Sequence, residues 1–202
     1  MDHPVAETTT SEAPLDPGAT PSIGTLTWAP ALARPDLLAD VTFAALAAWA
    51  RAVPEVTTGV FVAEVDPDLS DTAAMSEAYQ IPMAQSVNCV LVTGKREGVE
   101  RRAAATVRAS TRADVNGAIR ALLDVRKASF APVERAVTSS AMEFGGITPI
   151  GLPESWPVLL DAGACAGWIV IGSGVRRSKL ALPGRLLAAL PGVRVVDQLA
   201  TG

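Results

Sequence analysis

The sequence of 202 residues contains a single histidine, His3, which lies in a Pro-, Thr- and Glu-rich segment at the amino terminus. A Ser-His or Cys-His catalytic pair needs a histidine held in a packed fold, and so does a histidine-ligated metal site. The sequence therefore excludes these kinds of site, and we expect no metal and no other cofactor.

Cysteine is nearly as scarce. Cys89 and Cys165 are isolated within apolar segments, a setting that favours reduced, buried thiols over a disulfide. Two scattered cysteines also cannot form a zinc site. A phosphate-binding loop ending in Gly-Lys-[Ser/Thr] is absent, and Gly172-Ser173-Gly174 is too short for a dinucleotide-binding fingerprint.

Long hydrophobic runs are missing as well. Although 49% of the residues are hydrophobic, they form short, interrupted runs, none near the roughly 20 apolar residues that span a bilayer. The amino terminus lacks the basic segment and apolar stretch of a signal peptide. We therefore expect a soluble cytoplasmic protein with no membrane partner.

The hydrophobic content is enough for one substantial core. Residues 1–24 contain almost no large apolar side chains and are expected to form a disordered tail, while residues 25–202 are expected to form one domain.

Charge is unevenly distributed along the chain. Residues 1–80 contain two basic and twelve acidic residues, a net charge of −10, which leaves +15 and −9, a net charge of +6, on residues 81–202. A nucleic-acid partner requires such a basic surface, although a solvated basic face is the more common explanation.

Hydrophobic spacing predicts helices and strands that mix without strict alternation. This pattern indicates an α+β domain with a curved, mostly antiparallel mixed sheet, barrel-like in shape and flanked by helices. The predicted helices cover residues 35–53, 70–79, a segment opened by Asp114, a short segment after Pro132, and 183–190. The predicted strands cover 58–67, 84–94, 103–110, 126–130, 156–160, 167–171 and 193–196.

The segment EFGGITPIGLP, residues 143–153, combines three glycines with two prolines and must form a shaped loop. Amides exposed at Gly145 and Gly146 would suit a phosphate, a carboxylate or the oxyanion of an acyl-transfer reaction. A tight connection between two strands is the alternative explanation.

Several segments together resemble the YbaK/EbsC family, relatives of the editing insertion domain of bacterial prolyl-tRNA synthetases that hydrolyse mischarged aminoacyl-tRNA. They are RKASFAPVE (126–134), Thr138, MEFGGITPIGLP (142–153), residues 156–161 and IGSG (171–174), and the resemblance spans about residues 37–200. It implies a barrel-like mixed sheet with flanking helices, the acceptor end of an aminoacyl-tRNA as substrate, and an aminoacyl-tRNA synthetase as a possible partner.

The resemblance also implies site residues. The loop residues Gly145, Gly146, Thr148 and Pro149 would line a pocket in which backbone amides stabilise the oxyanion and a ribose hydroxyl of the tRNA helps to activate water. The segment Gly172, Ser173 and Gly174 would contribute to substrate binding. Members known for deacylation carry a lysine where this chain has Asn88, which keeps hydrogen bonding but removes a cation.

Other polar residues have two interpretations each. Lys127 can supply the missing charge or lie solvated on a strand. Asp161 can anchor the pocket through backbone N–H groups or simply form a turn. Arg176, Arg177, Lys179 and Arg185 can form a phosphate-binding rim for tRNA or an ordinary basic surface.

The leading hypothesis is therefore a trans-editing aminoacyl-tRNA deacylase. The alternatives are a catalytically degenerate module that binds tRNA or a protein, and a binder or hydrolase of small acylated metabolites. The amino acid, the tRNA and the oligomeric state cannot be read from the sequence.

Overall fold

A computed structural model describes residues 19–202 of the chain. Its helices are mostly short, and the longest, α1, is rich in alanine and buries Leu46 and Trp49 against the sheet. The helices are α1 (Asp40–Ala52), α2 (Glu55–Gly59), α3 (Thr72–Tyr79), α4 (Arg120–Leu122), α5 (Val133–Ser140) and α6 (Gly184–Ala188). A π-helical turn, Val115–Ile119, leads into α4, and four 3-10 turns cover Ala31–Ala33, Pro35–Leu37, Pro67–Leu69 and Ala162–Cys165.

Eleven strands are found in the described part of the chain. They are β1 (Ala29–Pro30), β2 (Phe61–Glu64), β3 (Val87–Arg96), β4 (Val99–Arg108), β5 (Arg112–Ala113), β6 (Ala128–Phe130), β7 (Val158–Asp161), β8 (Trp168–Gly172), β9 (Ser178–Pro183), β10 (Val193–Val196) and β11 (Ala200–Thr201).

The strands form two main sheets and one short pair. The four-stranded sheet has the order β1-β2-β9-β8 and is antiparallel throughout. The five-stranded sheet has the order β10-β7-β4-β3-β6, with parallel pairing where β7 meets β4 and β10. Strands β11 and β5 pair separately.

The two main sheets meet where β3 begins. Ser86, just before β3, forms a parallel bridge with Val170 of β8, and the Val170 N–H donates to the Gln85 carbonyl at 2.8 Å. Large aliphatic side chains of α1, β8, β9 and α6 form the main core, including Ile169, Leu180 and Leu182, each 0% exposed. The seam between the sheets is therefore joined by backbone pairing and stabilised by the main core.

This architecture confirms the predicted α+β class and the mixed, mostly antiparallel sheet, with the strands divided between two sheets that do not close into a barrel within residues 19–202. Helix α1 begins at Asp40, later than predicted, because Pro35–Leu37 forms a 3-10 turn. Asp71 caps α3, since its side chain accepts from the Ala73 N–H at 3.0 Å. None of the helices in this region is long and apolar enough to cross a bilayer.

Four strands of the described part of the chain were not predicted. Three of them, β1, β5 and β11, have only two residues each, and the fourth is β9, which is paired with β2 on one side and β8 on the other. All six residues of β9 are buried, because one face of the strand packs in the main core through Leu180 and Leu182 and the other packs through Ala181 in the cluster that contains Ile23 and Trp28. The basic residues before it had masked the short apolar run Leu180–Leu182.

Of the predicted tail, residues 1–24, the first 18 residues lie outside the described part of the chain. Ile23, near its predicted end, is 3% exposed and packs in a cluster with Trp28 and Ile81. The Trp28 indole N–H also donates to the Ile23 carbonyl at 3.2 Å. The packed domain therefore includes Ile23.

Candidate active site

A cavity of about 400 Å³ lies at the seam between the two sheets. Its walls come from the amino-terminal end of α3, the start of β3, the end of β8, the glycine-rich loop and β9. The lining combines apolar side chains with polar and charged ones; the polar and charged lining residues are Asp68, Ser70, Asp71, Thr72, Ser86, Asn88, Arg176 and Lys179. A cavity with an apolar body and a few convergent polar groups is the usual form of a ligand site.

Lys179 is the buried cation of this cavity. It lies on the central strand β9 and is only 6% exposed. Its Nζ donates to the Gly145 carbonyl at 3.0 Å and to the Ser70 carbonyl at 3.2 Å. Burial, together with the positive charge of Arg176, lowers the pKa of Lys179 to about 8 although Asp71 acts in the opposite direction. Lys179 was predicted to lie on a tRNA-binding surface, and the structure instead places it inside the cavity.

The glycine-rich loop presents a different group to the cavity than expected. In the peptide unit that joins Gly145 to Gly146, the carbonyl accepts from Lys179 while the N–H donates to the Glu143 carbonyl at 2.9 Å. The two groups of a trans peptide point in opposite directions, so the cavity side of this peptide is an acceptor. The expectation of a free amide at Gly146 is therefore corrected, whereas Gly145, with φ +88°, lines the cavity and its amide stays a predicted donor.

Gly146 serves packing. A Cβ atom built there would lie 2.5 Å from the carbonyl carbon and oxygen of Val175 and 2.8 Å from its nitrogen. Gly146 is buried and is not among the residues that line the cavity. The requirement for glycine at this position comes from the close approach of two backbones.

The second glycine segment, predicted to bind substrate, holds the loop in place. The Gly174 N–H donates to the Gly146 carbonyl at 2.7 Å, and the Gly174 carbonyl accepts from the Glu143 N–H at 2.8 Å. Gly172 lines the cavity, but Ser173 is 0% exposed and its hydroxyl bonds to that of Ser178 at 2.7 Å. Of the three, only Gly172 lies on the cavity wall.

The two neighbouring arginines have different settings. Arg176 stands at the cavity mouth, where its guanidinium donates to the carbonyls of Phe144 at 3.3 Å and Pro67 at 2.9 Å. Its backbone N–H donates to the Glu143 carboxylate at 2.6 Å, so Arg176 ties the loop to the segment before α3. Arg177 is exposed and reaches outward to the Asp36 carbonyl.

Asn88 and Cys89 lie side by side on β3, and both line the cavity. The Asn88 Oδ1 accepts from the Thr72 hydroxyl at 2.8 Å, which leaves its amide hydrogens available. Burial raises the pKa of the Cys89 thiol to about 12. A thiol with this pKa is protonated at neutral pH and is a poor nucleophile.

Pro149 and Thr148 lie away from the cavity. Pro149 borders a second cavity, of about 640 Å³, with Trp49, Leu152 and Trp156 among its mostly apolar lining. The Thr148 side chain is 0% exposed, and its hydroxyl has no hydrogen-bond partner among residues 19–202. Both were predicted as site residues on the basis of a resemblance, and the structure places neither on the cavity wall.

Lys127 and Asp161 also lie elsewhere. Lys127 is exposed and immediately precedes β6, and it is not among the residues that line the cavity, whereas Lys179 is. The Asp161 carboxylate accepts backbone N–H bonds, as predicted, from Gly163 at 2.9 Å and Ala200 at 3.1 Å. These bonds fix the turn after β7 and the carboxyl-terminal strand rather than the cavity.

Sequence reasoning missed the wall formed by Ser70, Asp71 and Thr72, and the exposed aromatic Phe144 at the mouth. The sequence placed Ser70 and Asp71 only at the start of the predicted helix 70–79. Nothing in its local pattern indicates that the start of α3 faces β3, because that contact is made by residues 16 positions apart.

Solved structures with similar folds cover most of the chain. A candidate trans-editing enzyme for prolyl-tRNA synthetase matches with a TM-score of 0.63 and 18% identity over 82% of this chain and 99% of its own. The hypothetical protein APE2540 matches with a TM-score of 0.64 and 16% identity over 76% and 97%. A scaffold used for epitope backbone grafting matches with a TM-score of 0.65 and 18% identity over 81% and 97%.

No curated protein matches the sequence. The aminoacyl-tRNA editing domain matches residues 66–190, which contain most of the cavity wall, including Lys179 and the glycine-rich loop. This match extends over more than half of the chain, and with it the earlier resemblance is confirmed. The chain belongs to the aminoacyl-tRNA editing domain family.

Proposed function

We propose that this protein is a trans-editing hydrolase that removes the amino acid from a mischarged aminoacyl-tRNA. The observation that carries the proposal is the cavity of about 400 Å³ at the sheet seam, because a buried cation and several hydrogen-bonding groups converge there within the matched editing domain. An aminoacyl ester has a side chain, a carbonyl and a polar nucleotide end, which suit a cavity lined by both apolar and polar groups.

In this reaction the aminoacyl group enters the cavity and the terminal adenosine stays at the mouth. The neighbouring ribose hydroxyl of the substrate helps to activate the attacking water, so no histidine is required. The Gly145 amide is the loop's remaining candidate donor to the developing oxyanion. The high pKa of Cys89 argues against an acyl-enzyme on its thiol.

The tRNA would approach over the basic segment at the mouth. Arg176 lies at the cavity mouth, and Arg177 follows it on the exposed surface. Contacts with phosphates make binding weaken linearly on a plot of log K against log salt concentration, by about 0.7 to 0.9 per contact. An aminoacyl-tRNA synthetase that supplies the mischarged tRNA remains a proposed partner.

The test is to incubate the protein with a panel of mischarged and correctly charged aminoacyl-tRNAs and to follow loss of the ester. We expect hydrolysis of one or a few mischarged species. In parallel, the salt slope of tRNA binding should decrease for Arg177→Ala and stay unchanged for Arg51→Ala, an exposed arginine of α1 in the acidic half of the chain.

The same experiment separates the alternatives. A protein that binds tRNA with a steep salt dependence but hydrolyses no member of the panel is a binding module. The loss of a lysine at Asn88 is the observation that favours this second candidate. If the protein does not bind tRNA at all, the tRNA proposal is wrong, and the result favours the hypothesis of small acylated compounds.

A further inference from the structure

Lys179 is a buried charge without an acidic partner. It is 6% exposed, and no carboxylate of residues 19–202 forms an ion pair with it. Burying an unpaired ammonium group is unfavourable, because the group gives up its hydration without gaining a compensating charge. A fold that keeps such a group on a cavity wall retains it at a cost in stability, which points to a role for the charge in ligand binding.

Its hydrogen bonds leave one donor unused. A lysine ammonium carries three N–H donors. Two of them are directed to backbone carbonyls, those of Gly145 and Ser70, which lie on two different walls of the cavity. These two bonds fix the position of Nζ, and the third donor has no partner among the described residues. A positioned donor with a positive charge suits an oxygen that is neutral or weakly negative before reaction and fully negative during it.

The surroundings of Lys179 disfavour its positive charge but do not remove it at neutral pH. Burial lowers its pKa most and Arg176 adds to this effect, while Asp71 at the start of α3 acts in the opposite direction, and Asp68 lies on the same wall. With a pKa of about 8, Lys179 is mostly protonated at pH 7.

We propose that Lys179 is the catalytic cation of the cavity, and that its free N–H stabilises the negative charge on the ester carbonyl oxygen during deacylation. This inference rests on the proposed function. It assigns to Lys179 on β9 the stabilisation of the oxyanion that the sequence suggested for the amides of Gly145 and Gly146. The Gly146 amide is already bonded within the loop.

The step balances as follows. The water oxygen forms a bond to the carbonyl carbon, and the carbonyl π electrons move to the oxygen that accepts from Lys179. When the intermediate collapses, the bond from carbon to the ribose oxygen breaks, and that oxygen takes one proton of the water. The second water proton leaves to solvent from the new carboxyl group. The products are the free amino acid and a tRNA with a free ribose hydroxyl.

The test compares Lys179→Met with Lys95→Met on the aminoacyl-tRNA that the wild type hydrolyses best. Lys95 makes a matched control, because it is exposed and lies on β3 about 24 Å along the strand from Asn88. We expect Lys179→Met to lower kcat on the order of 10²-fold with KM nearly unchanged, and Lys95→Met to leave both unchanged. Thermal unfolding of both variants verifies that they are folded.

Binding of deacylated tRNA distinguishes an ester oxygen from a phosphate as the partner of Lys179. The proposal predicts that Lys179→Met binds this probe with the wild-type Kd and salt slope. If Lys179 instead holds a phosphate, the variant loses affinity, its slope falls by about 0.7, and the proposal is overturned.

A second variant tests the role by moving the charge within the cavity. Asn88→Lys in the Lys179→Met background returns a cation to the cavity wall. We expect the double variant to have a kcat at least tenfold higher than that of Lys179→Met. Asn88→Lys alone should not increase activity, because two ammonium groups would then line one cavity and repel each other.

The outcomes are distinct. If the wild type hydrolyses an aminoacyl-tRNA and folded Lys179→Met hydrolyses it with a kcat within threefold of the wild-type value, the assignment of Lys179 is wrong while the proposed function stands. If the wild type hydrolyses none of the panel, the proposed function fails, and the role of Lys179 fails with it.

Discussion

The glycine-rich loop and strand β9 both border the cavity, but they contribute to it in different ways. The loop, residues 143–153, is conspicuous in the sequence, yet its Gly146 is buried against Val175 and its amide is bonded internally. Strand β9 is inconspicuous in the sequence, where a short apolar run follows basic residues, yet it places Lys179 inside the cavity.

The comparison shows that an unusual glycine and proline content indicates a constraint on the backbone conformation. Such a constraint does not have to come from catalysis or ligand binding. Glycine is required wherever two backbones approach closely, whether or not a ligand lies nearby. A charged residue within a buried strand is the more informative signal for chemistry, because burying a charge is costly and the cost is tolerated where the charge has a function.

The sharpest way to break this comparison is Gly146→Ala. The added methyl group would lie 2.5 Å from the Val175 backbone, and the backbone shift would also weaken the 2.7 Å bond from the Gly174 N–H to the Gly146 carbonyl. We expect a loss of about 4 kcal/mol in the free energy of unfolding, measured by urea denaturation. If the variant instead stays fully stable and loses only activity, the loop acts chemically through Gly146.

Gly98→Ala is the contrasting substitution. Gly98 has φ +81°, but a Cβ atom there meets nothing within 4 Å, whereas Gly146 is crowded and has no positive φ. We expect Gly98→Ala to cost about 1 kcal/mol from backbone strain alone. The first variant therefore reports close packing and the second reports backbone conformation.

The next prediction concerns the pH dependence of stability at Lys179. Its pKa is lowered in the folded protein to about 8, from 10.5 in the unfolded chain. Below pH 8 both states hold the proton, and the unfavourable burial of the charge is fully present. Between pH 8 and 10.5 the unfolded state binds more protons, so this contribution to stability increases with pH.

Wild type should therefore gain about 3 kcal/mol relative to Lys179→Met as pH rises through this window. Urea unfolding of both proteins at intervals from pH 7 to 10.5 measures the difference, and comparing the two proteins cancels the titration of other groups. A difference that is constant with pH would mean that Lys179 is not desolvated in the folded protein.

The smallest effect is expected at Cys89. Its thiol lines the cavity but is held protonated by burial, which raises its pKa to about 12. Cys89→Ala should change kcat/KM for deacylation by less than threefold, since no step uses the sulfur. Abolished turnover in a folded variant would indicate an acyl-enzyme on Cys89 and contradict direct attack by water.

Much of the fold could be predicted from the sequence. Periodic segments such as α3 and β3 were predicted near their observed positions, because their hydrophobic spacing and the Asp71 cap act locally. Strand β9 was missed because its six residues are buried on both faces and lack the alternation that marks a half-buried strand.

The site was predicted less well. The resemblance identified Asn88, Gly145 and Gly172 as site residues, and all three line the cavity. It also suggested Thr148 and Pro149, which lie outside the cavity wall. Successive residues of a loop point in different directions, so not all of them can face one cavity. Ser70 and Thr72 were missed because they reach the site only through contacts between distant segments.

By itself, the sequence determined the class of fold, the absence of a usable histidine within the predicted domain, and the membership suggested by its glycine-rich loop. These properties follow from local propensity and from residue identity. Only the tertiary structure decided which groups face the cavity, because the pairing of β9 between β2 and β8 turns Lys179 inward, whereas Arg177 precedes the strand and is exposed. The orientation of a side chain in a sheet depends on its strand register, and register is set by partners far away in the chain.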